Sequence, residues 1–384
     1  MIYLDNAATS FPKPPEVLAA MTHYATAIGA SPGRSSHRLA ADAVRLVFQA
    51  REQAARLFNI NDSSRIIFTK NVTEALNLAI FGLVQPGDRV LTTAMEHNSV
   101  IRPLRYLEQE GRITLEIIPA TPTGEPDLEY LKHQLRKHSF QLAVLNHGSN
   151  VTGNIFPLAE TIPLLKTEGI TVIIDGAQTA GAIPIDLKAL DSDIFCFTGH
   201  KSLFGPQGTG GFVLREGLTP LPLTRGGTGS HSEAEYQPEF LPDYYESGTP
   251  NTIGLAGLGA ALTFINQTTV EEIHRQEREL ARRLWQGLSA ITGLRLYGPG
   301  ADQDRLPVIS FTLDKLTPAE IAFNLDRQYD IMVRVGLHCA PLAHKTIGTF
   351  PQGTVRLAPG YFNTNREMKI TIEAIGNMAA HPPI

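Results

Sequence analysis

The stretch that decides the fold is residues 192–201, Ser192-Asp193-Ile194-Phe195-Cys196-Phe197-Thr198-Gly199-His200-Lys201. An apolar run of strand length stops there in small and polar residues and then reaches a lysine. Residues 171–178 have a similar form, Thr171-Val172-Ile173-Ile174-Asp175-Gly176-Ala177-Gln178. Here the ionisable residue after the apolar run is an acid, Asp175. The two patterns predict short buried strands that each carry an ionisable group at the carboxyl end.

The lysine and the acid are expected at the same rim of a parallel sheet, where such sheets bind ligands. An amine that forms a Schiff base and a carboxylate that keeps a pyridine nitrogen protonated are what pyridoxal 5′-phosphate (PLP) chemistry requires. Gln178 is a candidate donor to the ring oxygen of the cofactor. Alone, Lys201 is typical of a solvated surface lysine and Asp175 of a turn cap, but the pair favours the cofactor interpretation.

Composition excludes several classes of protein. The chain has 384 residues, 42% of them hydrophobic and 18% charged, which indicates a globular enzyme of two domains. A net charge of −5 gives no electrostatic case for nucleic acid or anionic membrane. We expect no spanning helix and no signal peptide, because neither a long apolar run nor a basic start is present. Two cysteines make no disulfide framework, which favours the reducing cytoplasm.

Strand-like and helix-like segments alternate along the first two thirds of the chain. Seven predicted strands lie at 65–69, 88–93, 114–118, 142–146, 171–174, 194–197 and 210–214. Predicted helices lie at 14–28, 40–58, 73–83, 100–110, 127–137, 253–264 and 270–291. Residues 217–250 are predicted to form long loops. This alternation predicts an α/β fold with a seven-stranded, mostly parallel sheet. We expect a large domain at 14–258 and a smaller α/β domain at 259–384 that includes the arm 1–13.

Further candidates follow predicted strands. Asn71-Val72-Thr73-Glu74 opens a helix, so its backbone N–H groups and the Thr73 hydroxyl suit a phosphate, although a plain N-cap explains the same residues. His97 suits stacking on an aromatic ring and proton transfer. His97, His200 and His338 are alternatively zinc ligands, but without HExxH or CxxC spacing we expect no metal site.

The second cluster is Arg334-Val335-Gly336-Leu337-His338-Cys339-Ala340-Pro341. A cysteine beside a histidine in a loop bracketed by glycine and proline is a candidate nucleophile, so Cys339 is expected to be reactive. Cys196, within an apolar strand, is expected to be buried and inert. Arg356 on a short predicted strand suits an amino-acid carboxylate, although a surface ion pair explains a single arginine equally well.

Together these motifs resemble the class V aminotransferase group of fold-type I PLP enzymes, and more narrowly the SufS-type cysteine desulfurases and selenocysteine lyases. The resemblance spans nearly the whole chain and rests on motifs in a fixed order. They are Tyr3-Leu4-Asp5-Asn6-Ala7-Ala8-Thr9, Glu96-His97-Asn98, Ser149-Asn150-Val151-Thr152-Gly153, Asp175-Gly176-Ala177-Gln178, Thr198-Gly199-His200-Lys201, Ser247-Gly248-Thr249-Pro250-Asn251, His338-Cys339-Ala340 and Arg356 with Tyr361-Phe362-Asn363-Thr364.

The resemblance implies a role for each candidate residue. Lys201 binds the cofactor covalently, Asp175 pairs with the ring nitrogen, Gln178 contacts the ring oxygen and His97 stacks on the ring. The phosphate is held by Asn71, Val72, Thr73, Thr198 and His200, with Thr249 from the partner subunit of a homodimer. Asn150 and Arg356 hold the substrate carboxylate, and Cys339 takes sulfur from L-cysteine to give a persulfide and alanine. The family further implies sulfur metabolism, iron–sulfur cluster assembly and a sulfur-acceptor protein.

The chain departs from the family pattern in three places. Leu337 stands where a first histidine is common, Asn71-Val72 replaces a Gly-Thr pair, and residues 340–348 are unlike the best-known members. These changes touch the active-site loop more than the cofactor residues. Selenocysteine, cysteine sulfinate or another amino acid therefore remain alternative substrates, with lyase or aminotransferase chemistry. A catalytically dead scaffold is disfavoured because Lys201 and Asp175 are intact.

Overall fold

The structure is a computed structural model that describes residues 1–33, 36–231 and 233–381. Its strands in chain order are β1 (Ile2–Tyr3), β2 (Ile66–Thr69), β3 (Asp88–Thr93), β4 (Ile113–Ile118), β5 (Leu142–Asn146), β6 (Thr171–Asp175), β7 (Ile194–Thr198), β8 (Gly210–Leu214), β9 (Leu294–Tyr297), β10 (Ile309–Leu313), β11 (Ile331–Met332), β12 (Arg334–Gly336) and β13 (Thr354–Leu357). Seven of them, β2 to β8, form the large sheet in the order β2-β8-β7-β6-β5-β3-β4.

The large sheet confirms the predicted fold class. Strands β7, β6, β5, β3 and β4 run parallel, and β8 pairs antiparallel with both β7 and β2. Strands β5, β7 and β8 are buried along their whole length, which their continuous apolar sequences require when helices cover both faces. In the register of β6 on its neighbours, Asp175 lies between Asn146 and Cys196.

The helices lie on both faces of this sheet and in the carboxyl-terminal part of the chain. In chain order they are α1 (Pro15–His23, continued by a π-helical turn Tyr24–Ile28), α2 (Arg38–Leu57), α3 (Val72–Leu83), α4 (Asn98–Gln109), α5 (Leu128–Lys137), α6 (Leu158–Thr167), α7 (Leu187–Leu190), α8 (Thr252–Thr268), α9 (Val270–Ser289), α10 (Pro318–Tyr329), α11 (Pro341–Thr346) and α12 (Asn365–Ala380). Sequence reasoning missed α6, because Pro157 directly precedes it and Pro163 lies inside it. Proline usually interrupts a helix.

The carboxyl-terminal segment forms a second, smaller sheet with the order β12-β13-β10-β9, all antiparallel. The amino-terminal arm joins this unit, since β1 pairs with β11. Helix α8 crosses the predicted boundary at residue 259 and buries Ala261, Leu262 and Ile265 in the core of the large sheet. The division into 14–258 and 259–384 stays a prediction.

The predicted long loops at 217–250 contain no helix or strand among their described residues. No single helix of the described chain is long and apolar enough to cross a membrane. Helices α8 and α9 reach that length and composition only as a pair, and the pair is bent by 83°.

Candidate active site

Lys201 and Asp175 lie together at the carboxyl rim of the large sheet. Asp175 ends β6, is buried, and its Oδ1 accepts a hydrogen bond of 2.9 Å from Ala177 N. Burial raises the pKa of Asp175, and the nearby Lys201 charge opposes that rise. Burial lowers the pKa of Lys201 to about 8, which Asp175 in turn opposes. Each group affects the pKa of the other, so the amine and the acid share one site, as predicted.

The amino-terminal arm holds the backbone that carries Lys201. The carbonyl of His200 accepts from Ser10 N (3.0 Å), Thr9 Oγ1 (3.0 Å) and Lys13 Nζ (2.9 Å). Ser10 Oγ donates to the carbonyl of Lys201 itself at 2.8 Å. Burial lowers the pKa of Lys13 to about 8. Sequence reasoning gave these three arm residues no part in the site, because nothing local predicts a contact across nearly 190 residues.

The predicted phosphate residues meet where α3 begins. Asn71 caps α3 through its Oδ1, which accepts from Glu74 N at 3.0 Å, so the capping interpretation is confirmed. A Cβ added at Gly210 would lie 2.7 Å from Asn71 Cα, and Gly210 pairs with Thr198 across β7 and β8. The start of α3, with Val72 and Thr73, therefore lies beside the end of β7.

Two buried groups at this point have no hydrogen-bond partner among the residues that the structure describes. They are Thr198 Oγ1 and His200 Nδ1. Burial, with the Lys201 and Lys13 charges, lowers the pKa of His200 to about 4, so its ring is neutral at physiological pH. Polar atoms without a partner beside the N–H groups of a helix start suit an anion such as a phosphate.

Thr249 lies in a different cleft of the same chain. That cleft has a volume of about 310 Å³, and its walls include Thr69, Lys70 and Glu74 but neither Thr198 nor His200. The sequence prediction assigned Thr249 to the phosphate of a second subunit. Within one chain, Thr249 is not grouped with the other candidate phosphate residues.

His97 and Cys339 line one cleft of about 470 Å³, together with Thr73 and Arg102. His97 caps α4: its Nδ1 accepts from Ser99 N at 3.1 Å, so the neutral ring carries its proton on Nε2. Burial lowers the pKa of His97 to about 3, and the charges of Lys201 and three arginines add to the effect. His97 is therefore a neutral imidazole at physiological pH.

Cys339 is exposed on a strained loop. Both His338 (φ 48°) and Cys339 (φ 59°) adopt the left-handed conformation, which costs energy for residues other than glycine. The loop is held in place because Asn98 N donates to the Cys339 carbonyl at 2.7 Å. Arg334 Nη2 lies 3.6 Å from the Cys339 Sγ. Cys196 is buried, as predicted.

Asn150 and Arg356 are adjacent and buried, so the structure brings these two predicted residues together. Arg356 Nη1 donates to the Asn150 carbonyl at 3.1 Å, and Asn150 Nδ2 donates to the His338 carbonyl at 2.7 Å. Arg356 Nη2 forms an ion pair of 2.7 Å with Asp5 that sequence reasoning missed. Asn150 Oδ1 and Arg356 Nε are buried and have no hydrogen-bond partner within the described part of the chain. Buried polar groups without a partner favour binding of a ligand that supplies a charge and hydrogen-bonding atoms.

Two more polar residues support the rim. Gln178 Nε2 donates to the Ala7 carbonyl at 3.0 Å and keeps one N–H for a ligand. Glu96 is fully buried, accepts from Thr93 Oγ1 (2.7 Å) and Asn146 N (2.9 Å), and burial raises its pKa to about 8. Sequence reasoning gave Glu96 no role, although an acid directly before a candidate histidine is a signal that could have found it.

The residues present fit PLP. An amine with a lowered pKa suits covalent attachment of an aldehyde, and a buried acid suits a ring nitrogen. The unpartnered Thr198 and His200 atoms at the start of α3 suit the phosphate.

Comparison with known proteins agrees with this chemistry. The sequence profile of a family described as class-V aminotransferase matches residues 2–370. A probable cysteine desulfurase of Pyrococcus abyssi is 34% identical over 377 residues, which cover 96% of this chain and 92% of the relative. A cysteine desulfurase of Escherichia coli is 35% identical and covers 88% of this chain and 84% of its own length. An apo structure of a cysteine desulfurase from Thermococcus onnurineus superposes with a TM-score of 0.91, at 32% identity over 99% of this chain and 94% of the other.

Proposed function

The chain belongs to the class-V aminotransferase family, and from that premise we propose that it is a PLP-dependent cysteine desulfurase. It converts L-cysteine into L-alanine and keeps the sulfur as a persulfide on Cys339. One observation carries the proposal: an exposed thiol on a strained loop, tied by Asn98 N to the start of α4, in the same cleft as His97. An exposed thiol has no structural reason to be there, whereas a sulfur-transfer enzyme needs one within reach of its substrate.

The residues that bind the cofactor lie at the carboxyl rim of the large sheet. Lys201 binds PLP covalently, Asp175 pairs with the ring nitrogen, Gln178 contacts the ring oxygen and His97 stacks on the ring. The start of α3, Thr198 and His200 hold the phosphate through the unpartnered groups described above. When bound, PLP supplies an electron sink that weakens bonds next to the substrate α-carbon.

Asn150 and Arg356 hold the substrate carboxylate. A buried guanidinium with a free Nε gains a charge-assisted bond from a carboxylate, and that bond is strong in a site shielded from water. Asp5 is the anion that pairs with Arg356 in the ligand-free protein. Asp5 thereby keeps the guanidinium neutralised and oriented until a substrate carboxylate arrives.

Cys339 takes the sulfur. Its thiolate attacks the substrate sulfur, an S–S bond forms and the C–S bond of the substrate breaks. The net reaction, thiol plus L-cysteine to persulfide plus L-alanine, balances in atoms and electrons, since the substrate carbon is reduced as the sulfur is oxidised. Arg334 Nη2 lies 3.6 Å from Sγ and can donate a hydrogen bond to the sulfur during the transfer. His97, neutral and with its proton on Nε2, lines the same cleft.

The finer biological setting follows from the same proposal. The enzyme acts as a homodimer in which Thr249 of each subunit reaches the phosphate site of the other, which agrees with its place in a separate cleft. The persulfide passes to a sulfur-acceptor protein in the cytoplasm and supplies iron–sulfur cluster assembly.

The test compares Cys339→Ala with Cys196→Ala, which removes the buried cysteine and serves as the matched control. Alanine release from L-cysteine and persulfide by mass spectrometry are measured, with cofactor absorbance as the check on the site. We expect Cys339→Ala to lose both products and keep the absorbance, while Cys196→Ala keeps all three. Full desulfuration by Cys339→Ala would refute the proposal. Activity of that variant on selenocysteine or cysteine sulfinate alone would point to the alternative substrates.

A further inference from the structure

The loop 149–154 follows the end of β5 and carries Asn150, and besides its internal hydrogen bonds it is held by the carboxyl-terminal unit. Ser310 Oγ donates to the Val151 carbonyl at 2.6 Å, and Leu306 N donates to the Gly153 carbonyl at 2.8 Å. Arg356 adds the bond to the Asn150 carbonyl already described. The position of Asn150 therefore depends on residues that lie more than 150 positions later in the chain.

Arg305 lies at the centre of this junction with 1% of its surface exposed. Its guanidinium donates to four backbone carbonyls: those of Pro299 and Val308, and at 3.4 Å those of Thr152 and Leu306. Among the described residues no carboxylate pairs with it within 4.0 Å. A buried charge is normally paired with an opposite charge, so a guanidinium held by carbonyls alone is unusual.

The same guanidinium stacks on the single tryptophan of the chain. Its Cζ lies 4.3 Å from the ring centroid of Trp285 on α9. A cation over an indole face is a favourable contact and changes the electrostatic surroundings of the ring. Trp285 emission therefore senses whether Arg305 occupies the junction.

The backbone packing leaves the loop no room to shift. A Cβ at Gly153 would lie 2.6 Å from the Val308 carbonyl oxygen and 3.3 Å from Arg305 Nη2. A Cβ at Gly298 would collide with the Thr152 carbonyl oxygen. Two backbone segments thus approach closely only because Gly153 and Gly298 have no side chain. The Arg305 guanidinium bonds to carbonyls of both segments.

We propose that Arg305 is a positioning residue for the substrate carboxylate: it fixes the loop 149–154 so that Asn150 and Arg356 converge on one ligand. The inference rests on the proposed function, because it takes Asn150 and Arg356 as the carboxylate site. Arg305 contacts neither substrate nor cofactor and acts only through the loop.

The experiment uses the cofactor-loaded enzyme with Arg305→Lys and Arg305→Met. Arg295→Met is the matched control, since Arg295 is exposed on β9, lies 5.2 Å from the Tyr297 ring and has no bond to the loop. We expect KM for L-cysteine to rise about tenfold in both Arg305 variants, the ratio that follows from losing one hydrogen bond to a charged group. The kcat and cofactor absorbance stay within about twofold, and Trp285 emission shifts. Arg295→Met changes none of these.

Two results would overturn the inference. One is a loss of kcat and of melting temperature together with an unchanged KM, which is the signature of a merely structural role. The other is a shifted Trp285 emission with KM unchanged. If Arg305→Met does not fold, Arg305→Lys decides the question alone.

A wild-type enzyme that does not turn over L-cysteine would refute the proposed function and leave this inference to be decided by ligand binding. The Kd for L-alanine, read from the cofactor absorbance, then replaces KM. A Kd about tenfold weaker in Arg305→Lys supports the inference, by the same hydrogen-bond reasoning. An equal Kd in the two proteins overturns it.

Discussion

The lowered pKa of Lys201 makes its amine reactive at neutral pH before any cofactor binds, and this is open to direct measurement. Burial is the main cause, and the charges of Arg356 and Arg334 add to it, while Asp175 opposes it. With a pKa of about 8, about a tenth of the Lys201 amines are neutral at pH 7. An ordinary lysine has about 3 neutral amines in 10,000, so the fraction available for reaction is about 300-fold larger.

The assay is competitive labelling of the cofactor-free protein with a trace of acetic anhydride between pH 6 and pH 11. Peptide mass spectrometry then gives the rate at each lysine. Exposed Lys369, with 78% of its side chain accessible, supplies the reference on the same sample. The neutral amine is the nucleophile, so the Lys201 rate should climb with pH up to about 8 and then level off.

The Asp175→Asn variant tests the effect of this acid on the pKa of Lys201. Asp175 is the largest influence that raises the pKa of Lys201, so its removal should lower that pKa and speed labelling at pH 7. A Lys201 rate that still increases tenfold per unit between pH 9 and pH 10 would refute the argument from burial. Slower labelling in Asp175→Asn would refute the assigned role of the acid.

Two further predictions concern the cleft and the start of α3. Arg334→Met removes the guanidinium that donates to the Cys339 Sγ at 3.6 Å, so persulfide formation from L-cysteine should slow about tenfold, as expected for the loss of one hydrogen bond from a charged donor. An unchanged rate would show that the contact does not assist sulfur transfer. Gly210→Ala places a Cβ 2.7 Å from Asn71 Cα, and this clash with backbone should lower the free energy of unfolding by about 2–4 kcal/mol in urea titration. Gly226→Ala, whose Cβ would meet only a side-chain atom at 3.9 Å, is the control, and equal losses in the two variants would contradict the steric argument.

Much of the fold was predictable because it depends on local periodicity. Strands β3, β5 and β8 begin and end at the predicted residues, since each contains a short run of apolar residues flanked by polar or glycine residues. Helix α4 starts at Asn98, two residues before the prediction, because His97 caps it with a ring nitrogen. Histidine is not among the usual capping residues, so the pattern of capping types did not indicate this start.

The division between sequence and tertiary structure is clearest at the site. The sequence by itself determined that Lys201 and Asp175 share a rim, because successive parallel strands end at the same edge of a sheet. Only the tertiary structure decided the contacts around them: Asp5 on Arg356, the arm on His200, and Arg305 on the loop of Asn150. Those contacts join residues about 150 to 350 positions apart, and they form because burial forces polar groups to find whichever partner the folded chain brings near.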